Sequence, residues 1–326
     1  MPAEIQPCEV LGGREDGANV TPSPTSEQRL RWRLALCLAA GGVDSAAAQS
    51  PPGTDVFVAS VRRSGGSWQF GPARNLTARQ GYDNQPAFSP DGRWLLITAV
   101  HPGGPNGTTQ ADIFRIDPAT GASTPLTQTP ESEYSATPMP GGREFAVIRV
   151  EVDSTQRLWA FPFGAGTPRR LLDRVKPVGY QAWLDAGTVG VFVLGSPATL
   201  QVADLATGQA RILLSGVGRA IHKVPGRRAL SITQLVADNT WWIMEVDPVT
   251  AAARPVARLL DGAEYYVWLP DGSLLSAKGN VLYRREAAAG AEWSAIHTFP
   301  GLGGISRLAL SPRGDRLAFV AEDPKP

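Results

Sequence analysis

The sequence has few of the residues that most often carry chemistry. Its 326 residues include two cysteines, three histidines and three methionines. Both cysteines, Cys8 and Cys37, precede residue 49, so the rest of the chain has no disulfide, no thiolate nucleophile and no cysteine-based metal site. The histidines lack metal-like spacing from one another or from carboxylates, and we expect no bound metal and no cofactor.

Long apolar runs and a strong charge of either sign are also missing. No run approaches the roughly 20 apolar residues of a membrane span, so we expect no transmembrane helix. The formal net charge of +1 leaves no broad basic surface, so we expect no nucleic-acid partner. The sequence contains no G-x-S-x-G elbow of a serine hydrolase, no calcium-binding loop and no phosphate-binding glycine loop before a helix.

The first 48 residues differ in composition from the rest. Residues 29–48 place three arginines before an apolar stretch that starts at Leu34, followed by small residues up to Ala48, which is the order of a secretory signal peptide. We therefore expect cleavage near Ala48 and a periplasmic or secreted protein. Residues 1–28 are either a disordered extension or the product of a mis-assigned translation start. Residues 49–326 are expected to form one domain.

One short pattern returns six times after residue 80. It consists of an apolar strand, a turn rich in Pro, Asp and Gly, and a second apolar strand, as in "AFSPDGRWLLI" and "ALSPRGDRLAF". Proline fixes the first corner of such a turn, and glycine adopts the positive φ that other residues resist. The turn anchors are Pro90, Pro140, Leu184, Pro225, Pro270 and Pro312. Their separation of 41 to 50 residues, with two further strand candidates in each unit, is typical of propeller blades.

The two ends of this segment predict how the ring closes. Residues 55–76 match the third and fourth strands of a unit, and residues 306–321 match the first and second. We therefore predict an all-β, six-bladed β-propeller with four-stranded antiparallel blades, closed by a blade shared between N- and C-terminal strands. Because such a closure removes exposed sheet edges, we expect a monomer.

The repeat resembles that of a known family. The stretch "YDNQPAFSPDG", followed by "DIFRID", is similar to the Pro-Asp-Gly repeat of TolB-like propellers, and the resemblance covers about residues 55–321. TolB is a periplasmic partner-binding protein of the Tol-Pal envelope system. The resemblance therefore implies a non-catalytic propeller that binds a protein or peptide partner in the cell envelope.

Candidate binding residues lie just before the repeated hairpins. The first strand of each propeller blade lines the central channel, so residues upstream of Phe88 and its equivalents should surround one opening. Tyrosine offers contact area plus a hydroxyl, and arginine offers a planar fork for a carboxylate. The tyrosines could instead serve only to pack neighbouring blades together. The candidate residues are Asp83, Asn84, Gln85, Glu133, Tyr134, Tyr180, Arg219, His222, Glu264, Tyr265 and Arg307.

A second hypothesis is an enzyme or small-ligand binder that uses the central channel, for instance for a sugar or a peptidoglycan fragment. An acid–base enzyme of this kind needs carboxylates that face each other across the opening, one of them with a raised pKa. Asp83, Glu133 and Glu264 are the candidates at these positions. Convergence of any two of them would favour this hypothesis, and divergence would disfavour it.

Overall fold

The computed structural model describes residues 53–104 and 107–322, apart from the side chain of Asp238. These residues form six antiparallel sheets, and a short 3-10 helix covers Ala237–Asn239. The predicted all-β, six-bladed propeller is confirmed. Among the described residues no helix is long and apolar enough to cross a membrane. The predicted N-terminal extension and signal peptide, residues 1–48, lie outside the described residues.

In five of the six blades the strands follow one another in chain order, from an inner strand to an outer one, and blade 6 combines strands from both ends of the described chain. The N-terminal strands, which belong to blade 6, are β1 (Thr54–Ser64), β2 (Ser67–Phe70) and β3 (Arg74–Asn75). Blade 1 is β4 (Asp83–Phe88), β5 (Leu95–Pro102), β6 (Thr109–Ile116) and β7 (Ser123–Pro125). Blade 2 is β8 (Ser132–Pro138), β9 (Glu144–Val150), β10 (Gln156–Pro162) and β11 (Arg169–Arg170). Blade 3 is β12 (Val178–Trp183), β13 (Thr188–Val193), β14 (Thr199–Asp204) and β15 (Ala210–Ser215).

The second half of the chain repeats this arrangement and then returns to the first strand. Blade 4 is β16 (Val217–Lys223), β17 (Leu230–Leu235), β18 (Trp241–Val246) and β19 (Ala253–Arg258). Blade 5 is β20 (Tyr266–Trp268), β21 (Leu274–Lys278), β22 (Val281–Arg285) and β23 (Trp293–Thr298). Blade 6 opens with β24 (Ile305–Leu310) and β25 (Arg316–Glu322). The six inner strands β4, β8, β12, β16, β20 and β24 contact one another in sequence and so surround the centre of the ring.

The repeated hairpin turn is held by the same backbone bonds in several blades. In blade 1, Gly92 donates to the Ser89 carbonyl at 2.8 Å and has φ of +70°. In blade 6, Gly314 donates to the Ser311 carbonyl at 2.8 Å and has φ of +69°. A side chain at this φ would be strained, which explains why the turn recurs with glycine.

Blade 6 closes the ring as predicted, with one strand that the repeat did not indicate. Strand β1 pairs antiparallel with β25, from Thr54 opposite Glu322 to Ser60 opposite Arg316. The short β3 pairs with β1, and so does the unpredicted β2. Strand β2 arises because Gly65 and Gly66 both have positive φ, as a two-residue hairpin turn requires.

The apolar core is divided among the blade junctions rather than gathered at one centre. In the described part of the chain, an apolar cluster lies at each of the six junctions. At the junction of blades 5 and 6, for example, the buried Phe319 ring lies 4.8 Å from that of Phe299 and 5.7 Å from that of Phe57. Each blade is therefore stabilised by burial against both neighbours.

Candidate functional site

A cavity of about 320 Å³ lies where the inner strands surround the centre of the ring. All six inner strands, or the residue just before them, contribute to its lining. The cavity falls at the lower end of the size range typical of small-ligand pockets. We call it the mouth cavity.

Irregular backbone near the start of several inner strands determines which side chains line this cavity. The strand register shifts between Asn84 and Ala87 in β4, and between Ser306 and Leu308 in β24. Within these shifts, Gln85 has φ of +58° and Arg307 has φ of +42°. A bulge redirects a side chain relative to the regular alternation of a strand. Both redirected residues line the mouth cavity.

Arg307 is the centre of an aromatic cluster in the mouth cavity. Its guanidinium lies 4.3 Å from the ring centre of Tyr265 and 4.8 Å from that of Tyr180, within the range of cation–π attraction. Its Nη2 donates a hydrogen bond to the Tyr180 hydroxyl at 2.7 Å. Burial raises the pKa of the Tyr265 phenol, so this hydroxyl stays protonated at neutral pH. The cluster therefore places a fixed cation against two tyrosine rings.

Arg219 supplies a second cation to the mouth cavity. Its Nε lies 3.9 Å from Oε1 of Glu264, a separation at the limit of an ion pair. The Glu264 side chain is 55% exposed, so solvent screens this contact. Arg219 lines the mouth cavity, whereas Glu264 lies beside it.

His222 lines the mouth cavity as an uncharged group. Its ring lies edge-on to that of Tyr266 at 4.8 Å. Burial lowers the pKa of His222 to about 4, so the imidazole is neutral at neutral pH. It offers a hydrogen-bonding nitrogen without adding charge.

Asp83 lies in the junction between blades 6 and 1 and does not line the mouth cavity. It is buried, and its Oδ1 accepts a hydrogen bond from Arg79 at 2.6 Å. Burial raises the pKa of Asp83 to about 6, although the Arg79 guanidinium opposes this change. The neighbouring Asn84 also serves the local backbone, because its Oδ1 accepts a hydrogen bond from the Gln85 amide at 2.8 Å.

Glu133 occupies the equivalent position in the junction between blades 1 and 2. Its side chain has no exposed surface, and Oε1 accepts a hydrogen bond from Thr129 at 2.5 Å. Burial raises the pKa of Glu133 to about 7, while Thr129 and Arg149 oppose this change. The adjacent Tyr134 packs against the apolar cluster between blades 2 and 3.

The predicted site residues therefore separate into two groups. The structure brings together Gln85, Tyr180, Arg219, His222, Tyr265 and Arg307 around the mouth cavity. Asp83, Asn84, Glu133 and Tyr134 lie at blade junctions, and Glu264 lies beside Arg219. Asp83 and Glu133 do not converge on the cavity. Within the described ranges, no group of three or more His, Cys, Asp or Glu side chains could hold a metal ion.

The sequence did not point to three further residues of this region. Gln181 and Tyr266 line the mouth cavity one position beyond the predicted ones. Tyr82 lies before β4, and the charges of Arg307 and Arg219 act on its phenol, whose pKa is raised by burial. Tyr82 directly precedes Asp83 in the sequence, but it lies outside the repeat positions that predict the opening of the channel.

Comparison with known proteins identifies the fold. No protein-family model matches the chain, and no curated protein matches it. A protein from Agrobacterium tumefaciens with a provisional TolB assignment has a TM-score of 0.65 and 16% identity, over 85% of this chain and 100% of that one. TolB from Acinetobacter baumannii has a TM-score of 0.54 and 12% identity, over 83% of this chain and 64% of that one. An oligogalacturonate lyase in complex with manganese has a TM-score of 0.53 and 14% identity, over 78% and 80% of the two chains.

These similarities concern architecture alone. The chain has a propeller fold similar to that of the TolB structures, and it spans 64% of the length of the Acinetobacter protein. An enzyme shares the same fold. Because propellers host both binding proteins and enzymes, function has to be argued from the mouth cavity itself.

Proposed function

We propose that this chain is an exported TolB-like propeller that binds a protein or peptide partner of the cell envelope at its mouth cavity and catalyses no reaction. The observation that carries the proposal is the cluster of Arg307, Tyr180 and Tyr265 at the cavity. Tyrosine and arginine are the residues most often found at the energetic centre of protein interfaces. The signal-peptide pattern of residues 29–48 supports export to the periplasm or beyond.

The positions of the carboxylates support a binding function over acid–base catalysis. The acid–base enzyme considered from the sequence needs two carboxylates that face each other across the opening. Asp83 is tied to Arg79 and Glu133 to Thr129, each inside a blade junction. Glu264 remains as the acidic candidate next to the cavity, beside Arg219.

A small acidic ligand is the second candidate for the mouth cavity. The cavity volume of about 320 Å³ suits a single sugar or amino-acid unit better than a folded segment of a protein. A partner protein would therefore place one side chain or a chain end in the cavity and make its other contacts on the surrounding face of the ring.

Capture of partners from envelope extract tests the proposal. The bait is the full chain, compared with a double variant, Arg219→Ala with Tyr180→Phe, that removes two polar groups from the mouth without emptying an apolar cluster. The matched control is Arg169→Ala, an exposed arginine of β11 that pairs with Glu144 at 2.8 Å. We expect a partner retained by the wild type and by Arg169→Ala to be depleted at least tenfold by the double variant. Equal capture by all three baits would contradict binding at the mouth.

A further inference from the structure

The Arg307 guanidinium is a partly buried cation without an acidic partner. In the described part of the chain, no carboxylate oxygen lies within 4 Å of it, and its Nη2 donates to the Tyr180 hydroxyl. Guanidinium has five N–H donors. A charge removed from water is costly unless it is paired with an opposite charge. Arg307 therefore has a positive charge without an acidic partner among the described residues, and it has N–H donors left for a ligand.

Arg219 increases the positive charge of the mouth cavity. The acidic group beside it, Glu264, is more than half exposed and 3.9 Å away. Asp83 and Glu133, two acids near the start of inner strands, are bonded within the blade junctions. Among the described residues, the cavity is therefore lined by two cations, and the acid beside it is largely exposed to solvent, which favours an anionic ligand.

Two buried polar atoms on residues that line the same cavity also have no hydrogen-bond partner among the described residues. They are the Ser135 hydroxyl and the side-chain oxygen Oε1 of Gln181, on residues that are 7% and 5% exposed. The Gln181 amide is fixed, because Nε2 donates to the Ser135 carbonyl at 2.8 Å and to the Thr137 hydroxyl at 3.0 Å. Its oxygen therefore remains an acceptor for an N–H or O–H group.

We propose that the mouth cavity binds a ligand carboxylate through the Arg307 guanidinium, while Gln181 Oε1 accepts a hydrogen bond from an N–H or O–H group next to that carboxylate. A planar carboxylate matches the arginine fork, which can donate two parallel hydrogen bonds to it. The C-terminal residue of a peptide has such a carboxylate beside its own amide N–H, and a uronic acid has one beside ring hydroxyls. The inference rests on the proposed use of the mouth cavity, and it specifies the chemistry of the group that enters.

Two pairs of probes test the inference on the full chain. The first pair is a random N-acetylated tetrapeptide library with free C-termini and the same library with C-terminal amides, read by affinity selection and mass spectrometry. The second pair is digalacturonate and neutral galactobiose, read by calorimetric titration.

The variants are Arg307→Met, which removes the charge, and Arg307→Lys, which keeps the charge and loses the fork. Arg169→Met is the matched control, and a melting curve establishes that each variant is folded.

We expect acidic probes to bind the wild type and Arg169→Met, with affinity at least tenfold lower for Arg307→Met and intermediate for Arg307→Lys. Selection of free-acid peptides supports both the inference and the proposed peptide partner. Binding of digalacturonate alone supports the carboxylate site and overturns the peptide partner. Equal selection of amidated peptides leaves peptide binding standing and overturns the carboxylate site. Absence of binding by every acidic probe, or binding unaffected by Arg307→Met, also overturns it.

Discussion

Glu133 is a carboxyl group enclosed between two blades, and its protonation is linked to folding. Burial raises its pKa to about 7 in the folded chain, from an ordinary value of 4.5. Arg149 and Asp112 act on the same carboxyl, the first lowering its pKa and the second raising it. Between pH 4.5 and 7 the folded state keeps a proton that the unfolded state has released. The free energy of unfolding must therefore decrease as pH rises through this window.

We predict that Glu133→Gln reduces this pH dependence. Glutamine keeps an oxygen for the Thr129 hydroxyl and never ionises, so at pH 7.5 the variant should exceed the wild type in stability by on the order of 2 kcal/mol. Asp83, with its pKa raised to about 6, leaves part of the slope in place. Urea denaturation at pH 5 and pH 7.5 measures the effect, with Glu144→Gln as the control. A slope unchanged by Glu133→Gln would contradict the raised pKa.

At single positions, the sequence predicted which residue types stand near the cavity better than it predicted the direction in which each side chain points. Tyr180, Tyr265 and Arg307 were found because they stand at equivalent points of the repeat, and all three line the mouth cavity. Asp83 and Glu133 stand at nearby points but lie in the blade junctions. The direction of each side chain depends on a register shift in the inner strand, such as the one between Tyr134 and Thr137. A shift of this kind redirects side chains, and no local pattern in the sequence indicated it.

At the scale of the strand and turn, local sequence was sufficient to predict the repeated hairpins. The turn glycines and the alternation of apolar residues predicted both the hairpins and their period. Trp183 and Trp268 stand at the same point of the repeat, at the ends of β12 and β20, and have the same role. Trp183 Nε1 donates to Thr137 at 3.2 Å, and Trp268 Nε1 donates to Ser231 at 2.8 Å, each on the preceding blade. Strand β2 was not predicted, because it lies within an N-terminal stretch that had been matched to only two strands of a unit.

The turn of blade 1 provides a test at this scale. Gly92 has φ of +70°, and a Cβ there would meet only Pro312, at an ordinary 3.6 Å. Gly92→Ala should therefore lose about 1–2 kcal/mol of stability through backbone strain alone. Gly164→Ala is the control, because its added Cβ has no atom within 4 Å and its φ is not in the positive range. Equal urea midpoints for the two variants would contradict the strained turn.

The whole ring depends on one blade that is built from two distant parts of the chain. Phe319, on β25, is fully buried against Phe57 of β1 and Phe299. Phe145 is equally buried in blade 2, whose four strands follow one another in the chain. Loss of either ring should cost about 3–5 kcal/mol, but only the first weakens the attachment of β1 to the rest of the fold.

We predict that Phe319→Ala allows the N-terminal strands to detach while the other five blades stay folded. Limited proteolysis under native conditions should then cleave within residues 76–82, between β3 and β4, in Phe319→Ala and not in Phe145→Ala. Local opening of this kind requires less free energy than global unfolding when few contacts hold a segment. The same cleavage pattern in both variants would show that the ring opens only as a whole.

The pairing of β1 with β25 also has a consequence for the order of events during synthesis. Strand β1 leaves the ribosome before every other strand of the propeller, yet most of its partners stand on β25, the last strand to be made. Until then its apolar residues Val56, Phe57 and Val58 have no β25 to cover them. An uncovered apolar strand is a template for pairing with other chains. The interval between the emergence of β1 and that of β25 therefore leaves this apolar strand open to pairing with other chains, however stable the closed ring is.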